Sequence, residues 1–163
     1  MKVKELMTRK VHTLNPDDDI DSVFILFHFE TIRHIPVLEK GELVGIISDR
    51  DLKKVLGSKK ALVDKSGSSI TFPSKKVKHI MTRKVVSINP DQRAADAAAI
   101  MVKRKFGALP VLRKGKLVGI ITETDILKAF LKLCNELQSI RLADLSAACK
   151  QLEKIGNSIR PVK

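Results

Sequence analysis

The feature that most constrains this chain is that it contains the same stretch twice. Met7-Thr8-Arg9-Lys10-Val11 returns as Met81-Thr82-Arg83-Lys84-Val85, a displacement of 74 residues. The same displacement carries Asn15-Pro16-Asp17 onto Asn89-Pro90-Asp91, Pro36-Val37-Leu38 onto Pro110-Val111-Leu112, and Leu43-Val44-Gly45-Ile46-Ile47 onto Leu117-Val118-Gly119-Ile120-Ile121. Residues 5–56 and 79–130 align without a gap and are identical at 20 of 52 positions. Self-similarity at a fixed period marks a duplicated structural unit. A unit of about 50 residues buries too little surface to be stable alone, so the two copies are expected to pack sheet against sheet, with pseudo-two-fold symmetry and a cleft on each side.

Each copy has the same local grammar. A short apolar stretch (Val11 to Leu14, Val85 to Ile88) leads into Asn-Pro-Asp. That triplet reads as a helix entry: Asn as N-cap, Pro at the first helical position, Asp against the positive end of the dipole. The helices expected to follow cover about 17–31 and 91–105, with Ile20, Val23, Phe24 and Phe27 on one face of the first. Two β-branched runs come next, 35–38 with 43–47 and 109–112 with 117–121. Each pair is joined by a short polar link containing Gly41 or Gly115, a hairpin signal. A second helix starts at Asp49 or Glu123. The unit reads as strand, helix, strand, strand, helix, and the chain as α/β (α+β).

The organisation that results is repeat 1 over residues 1–56, a basic Gly/Ser-containing linker over 57–78, repeat 2 over 79–131 and a helical extension and tail over 132–163. In the last segment Leu142, Leu145, Cys149 and Leu152 form one stripe of an amphipathic helix expected over about 141–155, with Gly156-Asn157 as its stop.

Composition narrows the functional classes. The net charge is +13, which attracts polyanions such as nucleotides, nucleic acid or an acidic partner. Aromatic residues are only 4% of the chain, all Phe, too few for a base-stacking surface. Lysines at 59, 60, 65, 75, 76 and 78, followed by Arg83 and Lys84, nevertheless keep direct nucleic-acid binding as the competing reading. No apolar run approaches the roughly 20 residues of a membrane span, and no apolar stretch follows the charges at the N-terminus, so a cytoplasmic, reduced setting is expected. Cys134 and Cys149 read as buried apolar residues rather than a disulfide framework. The four histidines, His12, His28, His34 and His79, have no metal-ligand spacing. Asp17-Asp18-Asp19 reads as compensation of a helix dipole. No nucleophile signature or phosphate-cradling Gly-rich loop is present, which argues against an enzyme.

The Met-Thr-x-x-Val opening, the Pro-Val-Leu strand and Gly-Ile-Ile-[Ser/Thr]-x-x-Asp together resemble the CBS domain, the module named after cystathionine β-synthase. Tandem pairs of it form a Bateman module. The ending from Gly119 to Phe130 is similar to the two-CBS proteins of bacterial acetoin utilisation. The resemblance implies a non-catalytic regulatory module that needs no cofactor. It would bind an adenosine-containing ligand (AMP, ADP, ATP, S-adenosylmethionine or NAD) between the repeats, and act as a homodimer on a regulated protein not identified by the sequence.

That resemblance also suggests residues. Ser48 and Asp51, with Thr122 and Asp125 as counterparts, would hold phosphate and ribose, because a hydroxyl at a helix N-terminus suits phosphate and a carboxylate one turn later suits a diol. The adenine slots would be Lys10 and Val11 with Ile35 and Pro36, and Lys84 and Val85 with Ala108, Leu109 and Pro110. Arg33, His34 and Arg50 would meet phosphate charge in the first site, and Lys84 or Arg83 in the second. Gly107 and Ala108, standing where the first copy has Arg33 and His34, would suit a larger ligand. The same Ser/Thr-x-x-Asp spacing is also that of a capping box, which stabilises a helix with no ligand at all. A ligand-free dimerisation module is the further alternative.

Overall fold

The computed structural model describes residues 1–56 and 74–158. Each repeat contributes one two-stranded antiparallel sheet and its helices. In chain order these are α1 (Val3–Leu6), α2 (Ile20–Phe29), β1 (His34–Glu39), β2 (Glu42–Ser48), α3 (Asp49–Leu56), a 3-10 turn (Val77–His79), α4 (Ala94–Arg104), β3 (Ala108–Arg113), β4 (Lys116–Thr122) and α5 (Glu123–Ser158).

The hairpins form as the two apolar runs require. Lys40 and Gly41 between β1 and β2, and Lys114 and Gly115 between β3 and β4, all have positive φ, the signature of a two-residue turn whose twist matches the flanking strands. Both hairpins carry an irregularity at the same place, between Val37 and Leu38 and between Val111 and Leu112. The expected first strand of each copy is reduced to a single parallel bridge, Leu14 to Val37 and Ile88 to Val111.

The helices start later than Asn-Pro-Asp suggests. Asn15 and Asp18 close a turn, in which the Asn15 amide donates to the Asp18 carboxylate at 2.7 Å and the Asp18 amide to the Asn15 carbonyl at 3.1 Å. Asp19 is still extended and bridges Lys76 before α2 begins, and Arg93 bridges Lys2 before α4. A tertiary pairing thus displaces the helix start that the local signals mark. The Asp17–Asp19 run serves that pairing rather than a helix dipole: Asp17 binds Lys78 at 2.6 Å and Asp19 binds Lys76 at 2.8 Å. The hydrogen bond and charge of Lys78 hold the Asp17 carboxyl below its ordinary value.

The two copies are joined by reciprocal exchange of their N-terminal segments. Val3 and Lys4 donate backbone hydrogen bonds to Gln92 and Pro90 of the second copy, and Thr8 exchanges two with Ile120. Val77 and Lys78 do the same to Asp18 and Pro16 of the first copy, and Thr82 exchanges two with Ile46. Val77 is fully buried and, with Met81, enters the core formed by Leu14, Ile20, Val23, Ile35, Val37, Ile47 and Leu52. Residues 75–78, expected at the end of a linker, are therefore a structural part of the module. Residues 57–73 of that expected linker lie outside the described residues.

The C-terminal unit, Thr124–Lys163, separates from Met1–Glu123 as a compact body. Its described part belongs to α5, which runs unbroken to Ser158 where two successive helices are expected. Leu127, Phe130, Leu131, Leu137 and Leu145 are each more than half exposed along it. Cys134 is half-buried rather than core, and Cys149 lies among side chains that are not described. Among the described residues no helix is long and apolar enough to cross a membrane.

Candidate functional site

β2 delivers its last residue, Ser48, to the start of α3, where Asp51 sits one turn later. Asp51 Oδ2 accepts the Ser48 hydroxyl at 2.6 Å and the Ser48 amide at 3.0 Å, while the Asp51 amide points back to Ser48 Oγ at 3.4 Å. This is a closed capping box. The same two residues also face a cleft of about 320 Å3, at the lower end of the range of small-molecule sites. Cap and cleft wall are thus one structure. The box locks the Asp51 rotamer and engages one carboxylate oxygen, while Oδ1 lies 3.8 Å from Lys54 Nζ.

The opposite wall comes from the other copy. Lys84, Val85 and Val86 follow the Thr82–Ile46 bridge, and Ala108 and Pro110 line the cleft from β3. The set expected for ribose and phosphate in copy 1 therefore meets the set expected for adenine in copy 2. Lys10 and Val11 are not on this cleft. Ile35 and Leu109 are fully buried in their hydrophobic cores, and Pro36 is also fully buried, so none of the three lines it. Arg83 is also elsewhere: its guanidinium donates to the Lys78 carbonyl at 3.2 Å, just as Arg9 donates to Lys4. Thr122 ends β4 as Ser48 ends β2. Asp125 lies in the first turn of α5, within the C-terminal unit.

Arg33, His34 and Arg50 line the cleft, joined by Lys54 and by Lys105 and Phe106 from the end of α4. Lys54 had a sequence signal, since it is one of the identical pairs, matching Lys128. Lys105 and Phe106 had none, because Lys105 reaches the cleft through a left-handed C-cap. Five cationic side chains thus face two carboxylates, Asp51 and Glu123. Arg50, Lys84 and Lys105 make no ion pair among the described residues, whereas Lys4, Lys76 and Lys78 are each paired with an aspartate. His34 stands between these groups. Burial pushes its imidazole below the ordinary value, with Asp49 and Glu123 opposing the shift and Arg33 and Arg50 adding to it. Its ring lies against Gly107: a β-carbon there would stand 2.8 Å from Cε1 and 2.9 Å from Nε2. Among the described residues no group of His, Cys, Asp and Glu could hold a metal ion.

Comparison with known proteins places this arrangement. An uncharacterized protein of Methanocaldococcus jannaschii, MJ1225, is 33% identical over 127 residues, which cover 77% of this chain and 41% of that protein. A CBS domain-containing protein of Dictyostelium discoideum is 32% identical over 133 residues, 80% of this chain and 92% of its own. Among solved structures, the CBS pair of protein MJ0100 with 5'-methylthioadenosine and S-adenosyl-L-methionine superposes with a TM-score of 0.68 at 27% identity, over 80% of this chain and 95% of that one. CBSX2 in complex with AMP gives 0.66 at 28%, over 81% and 97%. A Vibrio cholerae structure described as a candidate acetoin utilization protein gives 0.67 at 32%, over 85% and 96%. The CBS-domain family profile matches residues 3–58 and again 77–132. With both copies matched and most of the chain covered, the protein belongs to the CBS-domain family as a tandem pair.

Proposed function

We propose that this protein is a non-catalytic regulatory module that binds a phosphate-bearing adenosine ligand in the cleft between its repeats. It would signal, as a cytoplasmic homodimer, to a regulated protein. The observation that carries the reading is the convergence of charge: Arg33, Arg50, Lys54, Lys84 and Lys105 line one cleft against two carboxylates, Asp51 and Glu123, and among the described residues Arg50, Lys84 and Lys105 make no ion pair. Cations converging on one cleft favour an anionic ligand. The complexes of MJ0100 with S-adenosyl-L-methionine and of CBSX2 with AMP supply the adenosine.

In this reading Asp51 accepts the ribose hydroxyls through the oxygen not engaged by Ser48. Val85, Ala108 and Pro110, with Phe106, form the apolar slot for adenine. Arg33, Arg50 and Lys84 meet the phosphate. Thr122, Lys10 and Val11 belong to the same compact unit as this cleft and Asp125 to the other, so the proposal is confined to the cleft of Ser48 and Asp51. The exposed Leu127, Phe130, Leu131 and Leu137 of α5 support self-association, since an apolar stripe of that length is rarely left to water. The pairing of Lys76 and Lys78 with Asp19 and Asp17 weighs against a nucleic-acid surface there.

Calorimetry with AMP, ADP, ATP, S-adenosylmethionine and NAD tests the proposal. At least one of the four phosphate-bearing ligands is expected to bind in the micromolar range, Asp51→Ala is expected to remove that binding at this cleft, and binding of S-adenosylmethionine alone overturns the phosphate assignment. Silence across the panel overturns it.

A further inference from the structure

Among the described residues that line the cleft, His34 is the one whose charge can change near neutral pH. It opens β1, and its ring is wedged against the backbone of Gly107, where a side chain of any size would displace it. Charged groups reach it from every neighbouring element. Arg33 precedes it in the chain, Asp49 and Arg50 come from the start of α3, and Glu123 from the start of α5. Lys84 and Lys105 stand across the same cleft, with Asp51 and Lys54 further along α3. The second copy has Ala108 at the equivalent position, so the group is present once in the pair.

We propose that His34 takes up a proton when the cleft binds a phosphate-bearing ligand, so that occupancy responds to acidity as well as to ligand level. The inference rests on the ligand class assigned above. Burial and the two arginines outweigh the two carboxylates, so the cleft favours the neutral imidazole. A phosphate brings up to two negative charges into the recess that His34 lines. An opposite charge within about 4–6 Å favours the protonated imidazole by about 1–3 pKa units. The proton enters from solvent and no bond to carbon or phosphorus changes. The sign follows from linkage: a group whose pKa is higher in the bound state makes binding tighter as pH falls through that bound-state value, and the gain levels off below the free-state value.

The test is titration calorimetry with AMP at pH 6, 7 and 8, in two buffers of different ionisation enthalpy, on the wild-type chain, His34→Ala and the milder His34→Gln. AMP itself gains a proton near pH 6, equally for all three proteins, so the comparison isolates His34. Wild type is expected to gain roughly tenfold more affinity than either variant between pH 8 and pH 6, one pKa unit's worth, and to show buffer-dependent proton uptake at pH 7 that both variants lack. Binding with the same pH dependence in all three overturns this inference and leaves the ligand class intact. Should AMP fail to bind wild type at all three pH values, the same titrations are run with ADP, ATP and NAD, and silence from all four overturns both. Should neither variant fold, the Cε1 proton resonance of His34 in wild type decides: a titration unmoved by AMP overturns the inference.

Discussion

The thioether of Met81, in the second repeat, occupies the space that a β-carbon on Gly45, in the first, would need. Met7 stands in the same relation to Gly119, with its sulfur 2.7 Å from the position of that β-carbon and the Thr8 carbonyl at 2.8 Å. Two motifs far apart in each copy, Met-Thr and Gly-Ile-Ile, are thereby two halves of one contact made across the pair. Each glycine is paired to Val37 or Val111 in its hairpin, at the edge where Thr82 or Thr8 bridges.

Gly45→Ala and Gly119→Ala should therefore each destabilise the module by about 1–3 kcal/mol through overpacking. Gly119 should be the more sensitive, because a backbone carbonyl as well as a flexible thioether must move. Met81→Ala alone should cost about 2–5 kcal/mol by leaving a cavity. Combined with Gly45→Ala it should cost less than the two single changes together, since the added methyl enters vacated space. Thermal melts of the four proteins check this, and strict additivity would contradict the contact.

Ser48 and Asp51 should separate when substituted. Ser48→Ala removes the hydroxyl that caps α3 and should lower stability by roughly 0.5–2 kcal/mol, while leaving a carboxylate in the cleft and most of the AMP affinity. Asp51→Ala should cost similar stability and abolish binding at this cleft. Denaturant melts paired with calorimetry distinguish them, and equal loss of binding in both variants would show that the cap alone governs the site.

Acid should erase the contribution of the paired aspartates on the surface. The hydrogen bond and charge of Lys78 hold Asp17 below its ordinary value of 3.8, and those of Lys4, with Arg113, do so for Asp91. A carboxyl depressed in the folded state adds stability that is complete above its unfolded value and disappears as pH falls through the folded one. The difference in melting temperature between wild type and the double variant Asp17→Asn/Asp91→Asn should accordingly be constant from pH 7 to about pH 5. It should shrink once the pH drops below 3.8. A gap that keeps its pH 7 size below pH 3.8 would assign the effect to shape rather than charge.

Self-association should depend on α5. Replacing Leu127 and Leu131, both 60% exposed, by Lys should reduce the sedimentation coefficient to that of a monomer. Neither residue belongs to the buried core, so the melting temperature of the repeats should hardly move. A wild-type chain that sediments as a monomer at tens of micromolar would refute the homodimer.

Much of the chain was legible before any coordinates. The repeat displacement, both hairpins and the start of α3 at Asp49 follow from short-range rules: alternating β-branched runs, a Lys-Gly turn, and a hydroxyl three residues before a carboxylate. The resemblance carried by Gly-Ile-Ile-Ser-x-x-Asp led to the family because that motif is local and occurs twice. The helix starts were misplaced because Asp19 and Arg93 are held extended by partners 57 and 91 residues away, Lys76 and Lys2, and no local preference encodes such a partner.

The composition of the cleft was decided by tertiary structure alone. A duplicated sequence is equally compatible with each copy building its own site and with each copy lending half of one. The exchange of N-terminal segments through Thr8–Ile120 and Thr82–Ile46 selects the second, placing Lys84 and Val85 opposite Asp51 and leaving Lys10 and Val11 off this cleft. Hydrophobic pattern specifies which face of a strand is buried; it carries no label for which identical neighbour buries it.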